Sequence, residues 1–301
     1  MVIPRAEPSQ IRRPKRAHIA HFKGHEAQIS PIFKGFDFEA FGQPVLNFVR
    51  REIPVQKQQI APFRAHHDAL FGARIWFTSR VFPLHHIRER IEAACARANR
   101  RTAEITLVGA SKTRSLAQLE AFFAEGLRDF GENYVQEGTQ KVREARAQNW
   151  DAHWHFIGAL QSNKAALAVQ NFELIHSVDR VSLARELDKE ARKIGKIQRV
   201  LVQVNVGDEA SKAGVSAQNL ERLLDEIRTL SSLKIEGLMS LPPFENESQR
   251  TRKFHATLRE LNEKWRVGRV LSMGMSHDFE VAIEEGATHI RVGTALFGAR
   301  S

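Results

Sequence analysis

A lysine stands where a predicted buried strand gives way to a predicted helix, and its position suits amine chemistry. Residues 105–108 alternate β-branched and apolar side chains, which predicts a short strand. The small residues 109–111 then leave space around Lys112. A lysine held among small residues can approach a carbonyl carbon, and partial desolvation favours the neutral amine that forms a Schiff base. A solvated loop lysine would have the same local sequence, so a reactive Lys112 needs support from the residues around it.

Small and hydroxyl-bearing residues follow the last two predicted strands. Gly274 and Ser276 end the seventh strand, and Gly293 and Thr294 end the eighth. Glycines let backbone N–H groups approach an anion, and hydroxyls donate hydrogen bonds to phosphate oxygens. Ser276 also precedes a predicted helix, whose N-terminus favours negative charge. Each residue alone would suit a simple turn, but the set predicts a phosphate site.

A Schiff-base lysine facing a phosphate site is what pyridoxal 5′-phosphate requires, namely an amine for its aldehyde and donors for its phosphate. Arg291 points inward if it alternates with Ile290 and Val292, and we expect it to meet the pyridine nitrogen. An arginine does not leave that nitrogen protonated as an aspartate would, so the ring becomes a weaker electron sink. The alternative for Arg291 is a structural ion pair with a carboxylate such as Glu132.

Eight apolar segments separated by helical stripes must position these residues. The predicted strands are residues 105–108, 128–132, 153–158, 174–179, 200–205, 235–240, 270–276 and 289–294. An amphipathic helix from Leu84 to Ala98 precedes them. This order predicts an α/β protein with a single (β/α)8 TIM barrel, in which all strand C-termini meet at one rim. The rim would collect Lys112, Asn133, Asn163, Lys164, Lys212, Ser276, Gly293 and Thr294.

Residues 1–80 differ in composition from the rest of the chain. They hold seven of the ten prolines, 13 basic residues and 6 acidic ones, without a sustained apolar period. Such a segment has little means of offsetting its ordering entropy. We therefore predict a basic, Pro- and Phe-containing extension over 1–80, disordered or loosely docked, and a cofactor-binding barrel over 81–301.

The net charge of +10 is not evidence for nucleic-acid binding, because residues 81–301 are nearly balanced, with 32 basic and 29 acidic side chains. A single cysteine, Cys95, excludes an internal disulfide. No apolar run reaches the length of a membrane span, and the start of the chain lacks the apolar core of a secretory signal. We expect a cytoplasmic protein that binds no specific nucleic acid and no membrane.

Six segments closely resemble the pyridoxal phosphate homeostasis protein family. They are VGASKT at 108–113, DFGENYVQE at 129–137, HFIGALQSNK at 155–164, IHSVD at 175–179, SMGMSHDFE at 272–280 and RVGTALFGAR at 291–300. The resemblance runs in order from about residue 82 to the C-terminus. Two positions depart from it, since the family often has a lysine where Arg114 stands and an aspartate where His277 stands.

The resemblance implies a barrel like the N-terminal domain of alanine racemase, with pyridoxal phosphate held as a Schiff base on Lys112. It implies buffering or delivery of the cofactor in vitamin B6 and amino-acid homeostasis, with no established turnover. We further expect a monomer that has PLP-dependent apoenzymes as its protein partners. The cofactor-binding residues expected from the rim and the resemblance together are Lys112, Asn133, Lys212, Ser276, Arg291, Gly293 and Thr294.

Two enzymatic alternatives remain open. One is a fold-type III PLP enzyme such as an amino-acid racemase, which normally needs two bases on opposite faces of the cofactor. Two-domain racemases take a tyrosine from their second domain, but we expect no such domain here, and Tyr134 is the only tyrosine. The other is a phosphate-sugar aldolase or isomerase that uses Lys112 without a cofactor, but no acidic residue adjoins that lysine in sequence.

Overall fold

Eight parallel strands close into a barrel in the computed structural model of this chain, which describes residues 83–209 and 212–299. The strands are β1 (Thr106–Ala110), β2 (Asp129–Glu132), β3 (His153–Phe156), β4 (Leu174–Val178), β5 (Gln198–Asn205), β6 (Leu233–Ser240), β7 (Val270–Met275) and β8 (His289–Val292). Each strand pairs with the next, and β8 pairs with β1. The two-residue strand Val215–Ser216 lies beside β5. The predicted (β/α)8 barrel is confirmed.

One helix precedes the barrel and one follows each strand. They are α1 (83–97), α2 (Leu116–Ala124), α3 (Val135–Ala147), α4 (Ala165–Asn171), α5 (Val181–Lys193), α6 (Leu220–Arg228), α7 (Arg252–Trp265), α8 (Phe279–Glu284) and α9 (Thr294–Phe297). No helix among the described residues is long and apolar enough to cross a membrane. The extension predicted over 1–80 lies outside the described residues.

Local sequence explains where helix α2 begins and ends. Ser115 Oγ accepts a hydrogen bond from Gln118 N, and Gln118 Oε1 accepts one from Ser115 N, which together form a capping box. Gly126 follows the helix with a φ of +87°, a conformation that glycine adopts without a Cβ penalty. This helix start fixes where the turn after β1 must end.

The space between the strands and the helices, which we term the outer core, is apolar. Phe130, Phe156, Ile290 and Val292 are fully buried there, and Cys95 of α1 packs into the same cluster. Alternation along β8 therefore turns Arg291, the residue between Ile290 and Val292, into the barrel interior, as its sequence position predicts.

The barrel interior has a different composition. A separate apolar cluster on four consecutive strands consists of Leu174, Leu201, Met239 and Val270. Val108 of β1 is also buried inside the barrel, in register with Asp129 and Arg291. The polar side chains in hydrogen-bond or ring contact in the interior are Asp129, His155, His176, Ser272, His289 and Arg291. Barrel interiors are ordinarily filled by branched aliphatic side chains, so this polar half calls for an explanation by function.

Candidate functional site

Lys112 lies in the turn just after β1, at the C-terminal rim of the barrel. Its side chain is half-buried, and its Nζ makes no hydrogen bond or ion pair with any residue that the structure describes. Thr113, the next residue, has a φ of +63°, a left-handed conformation that is uncommon for a β-branched residue. The turn is therefore held in a strained conformation while the amine at its tip is left unengaged.

Three charged residues, which we term the clamp, hold the turn on both sides of that lysine. They are Glu132 at the end of β2 and Glu137 and Lys141 on α3. Lys141 Nζ donates to Ser111 O (2.7 Å), Glu132 Oε1 (2.8 Å) and Glu137 Oε1 (2.7 Å). Ser111 Oγ donates to Glu132 Oε1 (2.5 Å), and Thr113 N donates to Glu137 Oε1 (2.6 Å). Both chain neighbours of the lysine are thus fixed to the clamp.

The electrostatics of the clamp are unusual because Glu132 is completely buried. Burial raises the pKa of this carboxyl by more than Lys141 and Ser111 lower it. Its second oxygen, Oε2, has no hydrogen-bond partner among the described residues. Glu132 is engaged by Lys141 and not by Arg291, so the structural ion pair considered for that arginine does not form with Glu132.

Ser276 joins the turn after β7 to the start of α9. Its Oγ accepts hydrogen bonds from Gly293 N and Ala295 N, both at 3.2 Å, so its hydroxyl hydrogen remains available to another acceptor. The backbone of Gly293 packs against Ala110, because a Cβ placed there would lie 3.5 Å from atoms of that residue. Thr294 is exposed and begins α9 rather than ending β8. The loops after β1, β7 and β8 therefore adjoin at the rim.

Asp278 organises the turn that carries this serine. Its Oδ1 accepts a hydrogen bond from Met275 N (2.8 Å), and its Oδ2 lies 2.9 Å from His255 Nε2 of α7. Burial raises the pKa of the Asp278 carboxyl, but His255, the Met275 N–H and the charge of Arg291 together leave the pKa lowered. The ionised carboxylate thus ties the turn to α7.

Arg291 lies beneath the rim, 3% exposed. Its Nη1 donates to Ser272 Oγ (2.6 Å) and its Nη2 donates to Ser240 O (2.8 Å). Burial lowers the pKa of the guanidinium to about 10, with Asp278 acting in the opposite direction, so it keeps its charge at neutral pH. The side chain is a fixed, charged donor in the upper half of the interior.

Asn133 follows β2, the strand next to β1, whereas Lys212 lies on the other side of the barrel. Asn133 is half-buried after β2, and the backbone of Gly158 approaches it so closely that a Cβ there would lie 2.2 Å from Asn133 O. Lys212 follows β5, opposite β1 in the barrel order. Its Nζ lies 3.2 Å from Glu209 Oε2 and donates to Pro242 O (3.1 Å). Unlike Lys112, this lysine already has partners.

Sequence reasoning missed the histidines inside the barrel and the lysine of the clamp. His155 Nδ1 lies 2.9 Å from His176 Nε2, and His176 Nδ1 lies 2.9 Å from Ser272 Oγ. Burial holds the pKa of His176 well below its usual value and lowers that of His289 to about 4. The available signal was a histidine at an inward position of a strand, which polar periodicity alone does not distinguish from an exposed one.

Residues 83–301 match the protein family described as alanine racemase, N-terminal domain. A protein of Aquifex aeolicus (strain VF5) named pyridoxal phosphate homeostasis protein is 46% identical over 222 residues, which are 72% of this chain and 96% of that protein. The protein of the same name from Escherichia coli (strain K12) is 38% identical over 222 residues, 72% of this chain and 95% of that protein.

Solved structures show the same fold. PipY of Synechococcus elongatus PCC7942, determined with PLP bound, is 37% identical with a TM-score of 0.60, and the match covers 70% of this chain and 100% of that chain. An alanine racemase of Clostridium difficile 630 has a TM-score of 0.60 at 15% identity, over 73% of this chain and 57% of that chain. The second likeness concerns the fold alone.

Proposed function

This chain belongs to the pyridoxal phosphate homeostasis protein family, and we propose that it binds pyridoxal 5′-phosphate and buffers or delivers it rather than turning over a substrate. The observation that carries the proposal is the arrangement at the rim. Lys112 has no partner among the described residues, and its turn adjoins the loop that carries the Ser276 hydroxyl. The PLP-bound structure of PipY supports this choice of cofactor.

The residues at the rim fit the functional groups of the cofactor. When bound, the cofactor supplies an aldehyde that forms a C=N bond with a primary amine and releases water. Lys112 provides the amine, and the clamp keeps its turn in place. Arg291 provides a charged donor for the ring nitrogen and withholds the carboxylate that would keep this nitrogen protonated.

The phosphate is held by donors on the loops after β7 and β8. The hydroxyl hydrogen of Ser276 is available because its oxygen accepts from two backbone N–H groups. Thr294 adds an exposed hydroxyl, and Gly293 lets the backbone come close. Asn133 adds an amide on the opposite side of the turn. Lys212 would have to give up Glu209 and Pro242 O to contact the cofactor.

The same residues favour binding over racemisation. An arginine at the ring nitrogen makes the ring a weak electron sink, which disfavours a carbanion at Cα. Tyr134, the only tyrosine of the chain, is 56% exposed at the start of α3. A base that removes a Cα proton needs to be held within hydrogen-bond reach of it, and an exposed side chain does not provide this.

Borohydride trapping tests the proposal directly. PLP is added to the protein, the absorption spectrum is recorded, and reduction followed by peptide mapping locates the modified lysine. We expect a near-visible band and a single reduced adduct on Lys112, absent from Lys112→Ala and retained in Lys212→Ala. A full band in Lys112→Ala, or an adduct on Lys212 in the unaltered protein, would contradict the assignment.

Delivery would make PLP-dependent apoenzymes the partners of this protein, which we propose acts as a monomer in the cytoplasm. The loaded protein is mixed with an apoenzyme in the presence of a carbonyl scavenger that removes free PLP. Reactivation that survives the scavenger indicates direct delivery. Reactivation that the scavenger abolishes reduces the role to buffering.

A further inference from the structure

Five polar side chains form a continuous hydrogen-bonded chain across the barrel interior, which we term the interior chain. It runs from Arg291 on β8 through Ser272 on β7, His176 on β4 and His155 on β3 to Asp129 on β2. The successive donor–acceptor distances are 2.6, 2.9, 2.9 and 3.0 Å. The middle three side chains are at least 95% buried, so the chain is shielded from water.

The chemistry of its two ends fixes the direction of the interior chain. An arginine can only donate hydrogen bonds, and a carboxylate can only accept them. If Arg291 donates to Ser272 Oγ, the serine hydroxyl can donate onward to His176 Nδ1. The imidazole of His176 then carries its hydrogen on Nε2 and donates to the next histidine.

The same reasoning assigns the second histidine. His155 accepts at Nδ1 from His176 and carries its hydrogen on Nε2, which donates to Asp129 Oδ1. Both rings are then neutral, in the Nε2–H tautomer, and every member between the ends donates once and accepts once. This arrangement satisfies all four links with one charge at each end of the chain.

The opposite direction leaves a group unsatisfied. It requires a second proton on His155, so that Nδ1–H donates to His176 and His176 Nδ1–H donates to Ser272 Oγ. The serine oxygen would then accept from both sides, and its hydrogen would have no acceptor among the described residues. It would also place an imidazolium in the same interior as the Arg291 guanidinium, and both costs disfavour it.

We propose that the interior chain is a one-way relay of hydrogen bonds that positions the Arg291 guanidinium for the ring nitrogen of the cofactor. The Ser240 carbonyl fixes the second arm of the guanidinium, so its remaining hydrogens keep one orientation. The carboxylate at the far end accepts the last hydrogen bond and polarises each bond of the series, while Asp278 is the carboxylate whose charge acts on Arg291. This role rests on the proposed function, and it makes Ser272 and the two histidines positioning residues.

Other ionisable groups surround the interior chain. His153 Nδ1 lies 3.4 Å from Asp129 Oδ1, and the His289 ring lies 6.0 Å from His155 and 6.2 Å from His176 between centroids. Arg199 on β5 pairs with Glu236 at 2.7 Å. All of these groups must be held constant when the chain is tested, so the variants below leave them unaltered.

Nitrogen-15 NMR of the unaltered full-length protein, without cofactor, tests the direction. We expect the Nδ1 of both His155 and His176 in the unprotonated range and the Nε2 of both in the protonated range at neutral pH. A doubly protonated His155 together with an Nδ1–H tautomer of His176 would show the opposite direction and overturn the proposal. Ring-nitrogen chemical shifts midway between the protonated and unprotonated ranges would show that the histidines exchange between tautomers. That result would also overturn the proposal.

Substitutions of Ser272 test positioning with a matched pair. Thr and Val have nearly the same shape, but only Thr keeps a hydroxyl, so Ser272→Thr should retain the wild-type tautomers and PLP affinity. In Ser272→Val, His176 should no longer be held in a single tautomer. The PLP affinity should fall about fivefold, and the absorption band of the bound cofactor should shift. Ser177→Ala is the control, because Ser177 is equally buried on β4 and its Oγ has no partner among the described residues.

The outcomes separate the relay from the proposed function. Equal PLP affinity and equal band position in Ser272→Thr and Ser272→Val would show that the hydroxyl does not position Arg291. Failure of the unaltered protein to bind PLP would instead refute the proposed function, while the tautomers measured without cofactor would still report the direction of the chain.

Discussion

Side chains that point outward from the barrel strands and those that point inward stabilise the protein in different ways. Outside the strands, Phe130, Phe156 and Ile290 pack at zero exposure in an apolar outer core. Inside, Val108 and the four residues of the separate apolar cluster share the space with the interior chain. Removing apolar area from water stabilises the outer core wherever the shapes fit. Burying polar groups stabilises the interior only while each one has its partner, since an unsatisfied group costs about 1–3 kcal/mol.

This difference indicates where the proposed site imposes its requirements. Replacing the polar interior with aliphatic residues would give an ordinary barrel core. The interior instead keeps the buried cation of Arg291, beneath the rim, together with histidines whose pKa values burial lowers. Substitutions in the outer core should therefore change stability alone, whereas those in the interior or the clamp should change cofactor binding as well.

The largest loss of stability is expected in the outer core. Phe156 is fully buried and packs against Phe172 with ring centroids 5.3 Å apart. Phe156→Ala should lower the free energy of unfolding by about 3–5 kcal/mol, because a cavity replaces the ring. Urea unfolding measures the loss. PLP affinity of the folded fraction should be unchanged, and a parallel loss of affinity would show that outer core and site are not separable.

A similar loss of stability, now joined to an effect on binding, is expected in the clamp. Lys141→Met leaves the buried Glu132 without its cation, and removing one partner of a buried ion pair should lower the free energy of unfolding by about 3–5 kcal/mol. The rate of PLP attachment to Lys112 should fall with it, because the turn loses its anchors. Lys141→Arg should restore much of the rate. A wild-type rate of PLP attachment in Lys141→Met would show that the clamp does not position Lys112.

The phosphate loops provide a prediction in which the main effect is on affinity. Ser276→Ala should weaken PLP retention about tenfold, because one charge-assisted hydrogen bond is lost. The free energy of unfolding without cofactor should fall by about 1 kcal/mol, because Gly293 N and Ala295 N lose their common acceptor. Ser177→Ala again serves as the matched control. Equal PLP affinities of the two variants in a titration would refute the phosphate assignment.

We expect the loss of folding stability at acid pH to come from a histidine in the barrel interior and not from exposed histidines. The pKa of His289 is lowered to about 4 by burial, so the unfolded chain binds more protons than the folded one between about pH 6.5 and 4. The stability contributed by the neutral ring is therefore complete above pH 6.5 and is lost as the pH falls through this window. His289→Gln should flatten the pH dependence of urea unfolding, whereas His86→Gln, at an exposed histidine of α1, should not. Identical profiles for all three proteins would contradict the prediction.

The smallest effect is expected from residues 1–80. The barrel strands and their helices all lie within residues 83–299, so a chain that begins at Val81 should fold and bind PLP. Its free energy of unfolding should stay within about 0.5 kcal/mol of the full chain, as for changes away from packed contacts. Thermal and urea unfolding compare the two. Insolubility of the shortened chain, or a loss of several kcal/mol, would make the extension part of the fold.

Periodicity in the sequence predicted all eight strands because each carries an apolar face toward the outer core. Strand ends were less accurate: β5 begins at Gln198 and β6 at Leu233, two residues before the predicted starts at Val200 and Ile235. The polar Gln198 gave no strand signal, although its amide hydrogen-bonds Glu173 O inside the fold. Local pattern thus predicts that a strand exists better than where it begins.

The site was predictable where one loop carries the chemistry and not where distant elements meet. Lys112 and Ser276 stood out because small or hydroxyl-bearing neighbours surround each of them in sequence. The clamp joins Ser111 to a lysine 30 residues later, and the interior chain joins His176 to a serine 96 residues later. Periodicity places both partners on the correct face, but only closure of the barrel brings them together.

Barrel closure also sets the order in which a newly made chain acquires its parts. Lys112 is synthesised about 180 residues, and its clamp about 150 residues, before Arg291 and the loop after β8. At about 5–20 residues per second, an emerging chain would carry the amine for about 10–40 s before the arginine exists. Any aldehyde captured in that interval would lack the phosphate and ring contacts that retain it. Stable loading with the cofactor is therefore reserved for chains whose translation has reached the last strand.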